Sequence, residues 1–180
     1  MNKYFYRTAE ELIAGEGQRL RGLIGQTLFD TWLVWDKAAN EWFSDEFVIL
    51  QFSEDCLGLN FSKFDELAVN WSFIDIQDRL HYWKDYDAFD LEWQRNGNEI
   101  LSRNIGQRLN GISIVEMYSK SIFVKEPFRP ENLGQESEQW GLIAIEFIFS
   151  GSVTAIFNAL DENGIQDGTH VESIYRHIPL

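Results

Sequence analysis

The sequence predicts an α+β fold dominated by mostly antiparallel β-sheet, with few short helices. Three observations predict this class. Short apolar runs rich in aromatic and β-branched residues recur along the chain, turn residues separate them, and only one segment carries a clear helix-start signal. With 180 residues, 44% of them hydrophobic, the chain can bury one core without disulfides or a structural metal. We therefore expect a single domain over residues 1–180.

The helix-start signal is a capping box near the N-terminus. Thr8 is followed three residues later by Glu11, so the Thr8 side chain can accept a hydrogen bond from a free N–H of the first turn. This predicts a short helix over residues 9–14, which Gly15 and Gly17 then end.

The apolar runs after this helix predict nine or ten short strands. Residues 26–35, followed by turn residues at 36–40, predict a hairpin. At 57–61, Leu57, Leu59 and Phe61 alternate onto one face. The other predicted strands lie at 47–52, 67–71, 89–93, 112–118, 122–124, 142–149, 153–158 and 173–178. Residues 126–139 are predicted to form a mobile loop, and Asn163-Gly164 and Asp167-Gly168 are predicted to be turn dipeptides.

Two segments with the pattern Ile-Gly-Gln-x-Leu, at 24–28 and 105–109, suggest an internal similarity. Further along, a tryptophan, an apolar strand and an Asp-Glu pair follow each segment in the same order, with spacings that vary by the length of the loops. Two readings stay open, duplication of one β-rich unit and chance likeness of short strands. Under duplication, halves at about 20–95 and 101–170 would share one core, since neither has room for its own.

The charge of the chain is strongly negative and unevenly distributed. The net charge is −14, with 29 acidic and 15 basic residues. Residues 41–92 carry −10 and residues 131–180 carry −7, whereas 1–40 are neutral and 93–130 carry +3. Direct binding to nucleic acid or to an anionic membrane relies on clustered Lys and Arg, so we expect neither. A solvated, solubilising face and a docking surface for a basic protein both explain such a bias.

The segment 75–93 combines carboxylates with aromatic side chains, which is typical of an interface that meets Arg and Lys across the contact. The candidate partner-binding residues are Asp75, Asp78, Trp83, Asp85, Asp87 and Trp93. A half-buried strand explains part of the pattern equally well, with Phe89, Leu91 and Trp93 facing the core and the intervening acids facing water.

Candidates for catalysis and for cofactor or metal binding are weaker. No nucleophile or zinc-protease motif occurs, the oxygen-rich segments do not fit a calcium loop, and neither Gly-Gln pair has the residues of a phosphate loop, so we predict no cofactor. The acidic neighbours of Cys56 predict a raised pKa for its thiol. A small hydrolase or metal-dependent enzyme using His81, His170 or His177 with nearby carboxylates stays an alternative, as does an adaptor or ligand-binding module with a pocket between the halves.

Several runs resemble small bacterial immunity proteins of polymorphic-toxin and contact-dependent growth inhibition systems. The runs are Trp42-Phe43, residues 47–52, 57–59 and 65–71, and residues 157–164. The resemblance implies a cytoplasmic, non-enzymatic inhibitor that binds the C-terminal toxin domain of a cognate partner, often a nuclease. It assigns no binding residue. A single cysteine and the lack of a signal-like apolar run near Met1 agree with a cytoplasmic setting.

Overall fold

The computed structural model describes residues 5–63, 65–71, 89–124 and 133–180, and its β-dominated α+β architecture confirms the predicted class. The helices of this part of the chain are α1 (Ala9–Leu23) and α2 (Glu99–Ser102). Its strands are β1 (Phe5–Tyr6), β2 (Leu28–Asp36), β3 (Glu41–Trp42), β4 (Val48–Phe52), β5 (Cys56–Ser62), β6 (Glu66–Asn70), β7 (Leu91–Arg95), β8 (Leu109–Val124), β9 (Leu133–Phe149), β10 (Val153–Asn158), β11 (Asn163–Asp167) and β12 (Tyr175–Pro179).

The strands form two antiparallel sheets. The first has the order β1-β6-β5-β4-β2-β3, with β7 pairing to β2, and the second has the order β11-β10-β9-β8-β12. Each sheet is built around a run of neighbouring strands that follow one another along the chain. Register shifts interrupt the β2–β4 ladder between Leu28 and Asp30 and the β8–β9 ladder between Leu109 and Gly111, two sites that lie 81 residues apart.

Helix α1 starts where the sequence predicts and ends nine residues later than predicted. The Thr8 side chain accepts from the Glu11 amide at 3.2 Å, as the capping box requires. The helix nevertheless continues through both glycines, because Leu12, Leu20 and Leu23 are completely buried on one face. Burial of these three side chains outweighs the cost of about 1 kcal/mol for each interior glycine.

The hairpin predicted from residues 26–35 and the turn at 36–40 is present as β2 and β3, but two predictions in the second sheet are wrong. Strand β9 begins at Leu133, so residues 133–139 are not a loop; they pair with a single long β8 that joins two strands predicted separately. Asn163-Gly164 begins β11 rather than forming a turn. Asp167-Gly168 ends the same strand, and Gly168 has the positive φ, +89°, that the predicted turn requires. The Asn163 side chain is buried, and the Phe157 ring covers Gly164 so closely that a Cβ atom there would lie 2.3 Å from it.

One hydrophobic cluster joins both sheets and α1. It contains Leu12 from α1, Phe61 from the first sheet and Phe147 from the second, each at most 1% exposed. A smaller cluster of Phe47, Ile49 and Ala68 packs separately, with Trp32 and Trp93 against it. The two sheets therefore share their main core.

The two Ile-Gly-Gln segments lie against each other and exchange equivalent backbone hydrogen bonds. The Gly25 amide donates to the Leu109 carbonyl, and the Gly106 amide donates to the Leu28 carbonyl, each at 2.8 Å. Reciprocal contacts of this kind are those that two copies of one unit make about a two-fold axis. Duplication itself stays a prediction, and the contacts place the start of β2 beside the start of β8.

Candidate functional site

Five of the six predicted partner-binding residues, Asp75, Asp78, Trp83, Asp85 and Asp87, lie outside the described residues. The sixth, Trp93, lies in β7, where it is partly buried against the smaller cluster. Its indole Nε1 is buried without a hydrogen-bond partner. The described contacts of Trp93 are those of a packing residue, as the half-buried-strand interpretation predicts.

Two acids, one just before β7 and one within it, lie on the face opposite to Trp93 and are open to solvent. Asp90 and Glu92 are both exposed, and both lie near the Lys37 ammonium, at 3.0 Å and 3.7 Å. The half-buried-strand interpretation is wrong for Phe89, which lies before β7 and is 42% exposed, with its ring 5.1 Å from that of Phe43. Residues 89–92, at the start of β7 and just before it, therefore supply an acidic rim with an accessible aromatic ring, and they belong to the predicted binding segment 75–93.

The clearest acidic surface in the described part of the chain lies where the two sheets meet. The loop before β4 carries Asp45 and Glu46, and the turn between β10 and β11 carries Asp161 and Glu162. We call these four residues the junction acids. They bring together the two regions of the sequence in which negative charge is concentrated.

Asn163 holds the junction in place. Its buried side-chain amide donates to the carbonyl oxygens of Ser44 and Glu46, each at 2.7 Å, and its side-chain oxygen accepts from the Phe61 amide at 2.8 Å. The Ser44 hydroxyl also donates to the Glu162 carboxylate. These hydrogen bonds hold the loop of Asp45 and Glu46 against the turn that carries Glu162.

The pKa of Asp45 reflects its burial and two other negative charges of the junction. Burial raises the pKa of Asp45 above its usual range, and the negative charges of Glu162 and Glu46 raise it further. Three of the four acids, Asp45, Asp161 and Glu162, are exposed. A cation that docks here would offset these negative charges.

The two described histidines cluster around one buried carboxylate. Glu146 in β9 is 2% exposed; its Oε1 accepts from the Thr169 hydroxyl at 2.6 Å and from the His170 amide at 2.9 Å. His177 Nδ1 lies 3.2 Å from Oε2, and His170 Nδ1 lies 3.4 Å from Oε1. Sequence spacing placed His170 and His177 seven apart but gave no sign that Glu146 would lie between them.

Burial would raise the pKa of Glu146, but the hydrogen bonds from His170 and Thr169 and the charge of His177 lower it to about 2. The His177 ring is bonded through both nitrogens, since Nε2 lies 2.7 Å from the His170 carbonyl oxygen. Glu146, His170 and His177 are therefore hydrogen-bonded to one another. The cluster fastens the segment between β11 and β12 to the sheet, which is a structural use of the residues considered for an enzyme.

A second buried acid fixes the N-terminus of α1. Glu116 in β8, 1% exposed, accepts from the Ala9 amide at 2.7 Å and from the Arg176 Nε at 2.5 Å. The Arg176 guanidinium also stacks on Trp140, 4.5 Å from the ring centroid. Beside this ion pair, a cleft of about 510 Å³ opens between α1 and β12.

Other features of the described residues bear on the remaining predictions. They contain no group of three His, Cys, Asp or Glu side chains placed to hold a metal ion. Burial raises the pKa of the Cys56 thiol and the negative charge of Asp55 adds to it, which confirms the predicted direction. Neither helix is long and apolar enough to cross a membrane. His81 lies outside the described residues.

Comparison with protein families, with curated proteins and with solved structures finds no match to this chain.

Sequence reasoning found the acidic regions but not the junction acids as a surface. In the sequence, the Asp161-Glu162 pair belongs to a repeated order, to an oxygen-rich segment and to the run 157–164 of the resemblance, whereas Asp45 and Glu46 contribute only to a charge total. The signal that could have joined them is Asn163, an amide within an acidic turn, which would need a buried partner elsewhere in the chain.

Proposed function

We propose that this protein is an inhibitor of the immunity-protein type, which binds a cognate toxin domain with a basic surface, such as a nuclease, and neutralises it in the cytoplasm. The observation that carries the proposal is the set of junction acids, which brings both acidic regions of the chain together and places the charges of Glu46 and Glu162 near Asp45. A basic toxin surface is the complement of such a site.

The way the chain uses its cations supports the same function. Among the described residues, the basic side chains that pair with acids of the chain itself are Arg7, Lys37, Lys63, Arg95, Arg103, Lys120 and Arg176. With 29 acids and 15 basic residues in all, internal pairing leaves a surplus of carboxylates for an external partner. The same surplus disfavours direct binding to nucleic acid or to an anionic membrane.

The proposed contact surface also includes the acidic aromatic segment of Asp75, Asp78, Trp83, Asp85 and Asp87, which continues into β7. Asp90 directly before β7 and Glu92 within it face solvent, and Trp93 anchors the strand. The inhibitor would act either by plugging the toxin active site or by docking beside it.

Rescue of cell growth tests the proposal. We expect the toxin to be the C-terminal domain of a large secreted protein encoded next to this gene, and the test expresses that domain inside cells together with this protein. We expect the wild-type protein to restore growth, and the triple variant D45N/D161N/E162Q to restore it poorly. Asp75, Asp78, Asp85 and Asp87, all changed to Asn, form a second test variant.

The matched control is E54Q/E99Q/E172Q, which removes three exposed acids elsewhere on the surface. It should rescue as well as the wild type. Growth that the wild-type protein does not restore contradicts the proposed function, whereas equal rescue by the junction variant and the control contradicts the assignment of the junction as the contact surface.

A further inference from the structure

The cleft between α1 and β12 has a mostly apolar lining, and no side chain of the described residues fills it. Ala9, Ile13 and Ala14 line it from the helix, and Ile178 lines it from the strand. Ala14 is exposed, and the two isoleucines are only partly buried. A cleft of this size and lining accepts a bulky apolar group.

The charged groups at the cleft favour a cation beside that apolar group. The charge of Arg176 is matched by Glu116, so the pair contributes no net charge. Glu10 also lines the cleft, is exposed, and forms no ion pair among the described residues. The net charge of the lining is therefore −1, which disfavours an anionic ligand.

The edge of β12 disfavours the addition of a partner strand at this place. Leu180 donates to the Ile112 carbonyl, so the residues of β12 whose backbone groups point outward are Tyr175, His177 and Pro179. Pro179 has no N–H, and the Tyr175 amide donates to the Glu172 carbonyl at 3.1 Å. Only one outward N–H remains, so insertion of a side chain is favoured over strand pairing.

We propose that the cleft takes an apolar side chain of the toxin domain that is flanked by Lys or Arg, with the cation facing Glu10. This inference rests on the proposed function and deepens it by adding an anchoring site. The anchor would be bulky, because interface anchors are aromatic or long aliphatic side chains that fill a preformed pocket.

Calorimetric binding to the purified toxin domain, which the proposed function expects to be encoded next to this gene, tests the inference. We expect A14R to raise Kd at least tenfold, because the new side chain fills the cleft and repels the partner cation. Q18R is the matched control; it places the same residue on an exposed position of the same helix that does not line the cleft. It should change Kd less than twofold.

E10Q tests whether Glu10 attracts the partner cation. Its control is E172Q, which removes an exposed acid from the segment between β11 and β12. Only E10Q should weaken binding, and the difference should shrink at high salt. If the wild-type protein binds but A14R and Q18R bind equally well, the cleft is not the anchoring site and the proposed function stands. If the wild-type protein does not bind the toxin domain, both fail.

Discussion

Gly25 and Gly106 occupy equivalent positions, 81 residues apart, and each donates its amide hydrogen to the half of the chain that contains the other. Both have positive φ angles, +96° and +81°. The equivalence extends to the glutamines that follow them. The Gln26 side-chain amide donates to the carbonyl four residues earlier at 3.0 Å, and that of Gln107 does the same at 2.9 Å.

Replacement of Gly106 by Ala should destabilise the protein by about 1 kcal/mol, because an L side chain is strained at positive φ. Nothing lies within 4 Å of an added Cβ at this position, so the cost is conformational rather than steric. Gly22 has equally open surroundings within α1, and G22A should instead stabilise by about 0.5–1 kcal/mol. Urea unfolding of both variants measures the difference. Equal effects would contradict the assignment of strain to Gly106.

Glu146 should make stability depend on pH. Its folded pKa of about 2 is below the ordinary value of 4.5, so its contribution is present above that ordinary value and is lost as pH falls towards 2. E146Q should lower the free energy of unfolding by about 2 kcal/mol at pH 6, and the difference from wild type should narrow between about pH 5 and pH 2. Urea unfolding at several pH values tests this, with E172Q as an exposed control. A difference that does not change with pH would contradict it.

Replacement of Arg176 alone should lower the free energy of unfolding more than replacement of both Arg176 and Glu116. R176M leaves the Glu116 carboxylate buried with the Ala9 amide as a remaining partner. Because the buried charge is then uncompensated, we expect the free energy of unfolding to fall by about 3 kcal/mol. The double variant E116Q/R176M should recover part of that loss, because no uncompensated charge stays buried. A double-mutant cycle by urea unfolding measures the coupling. Additive effects would show that the two side chains act independently.

Cys56 should react slowly with alkylating reagents in the native state. Burial and the charge of Asp55 raise its pKa, so less thiolate is present near pH 8. Alkylation of the native protein by iodoacetamide should be at least tenfold slower than alkylation in urea. D55N should speed the native reaction, and E54Q, which changes the neighbouring acid, should speed it less. Equal rates for the two variants would contradict the role of Asp55.

The elements that sequence predicts correctly are those determined by local chemistry. The Thr8 cap needs only its own first turn, and the alternation of Leu57, Leu59 and Phe61 follows from the two-residue period of a strand. The apolar runs were frequent enough to identify a β-rich fold. The end of α1 was not predictable in this way, because Leu20 and Leu23 extend the helix only once the core is there to bury them.

Strand β11 and the junction acids show the same limit at the candidate site. Asn163 and Gly164 have the composition of a turn, yet they pair with β10 because the Asn163 amide finds buried carbonyl partners in another loop. No property of the turn itself contains that information. Glu146 likewise looked like an interruption of an apolar run until two histidines from the end of the chain met it.

By itself, the sequence determined the β-rich class, the helix start, the excess of negative charge and the two regions that carry it, since composition and short-range periodicity suffice for these. Only the tertiary structure decided that Asp45 and Glu162 share one surface, and that Glu116 and Glu146 form hydrogen bonds with Arg176 and His177 of the same chain. The physical reason is that an electrostatic interaction depends on distance in space, and Asp45 and Glu162 are 117 positions apart in the sequence.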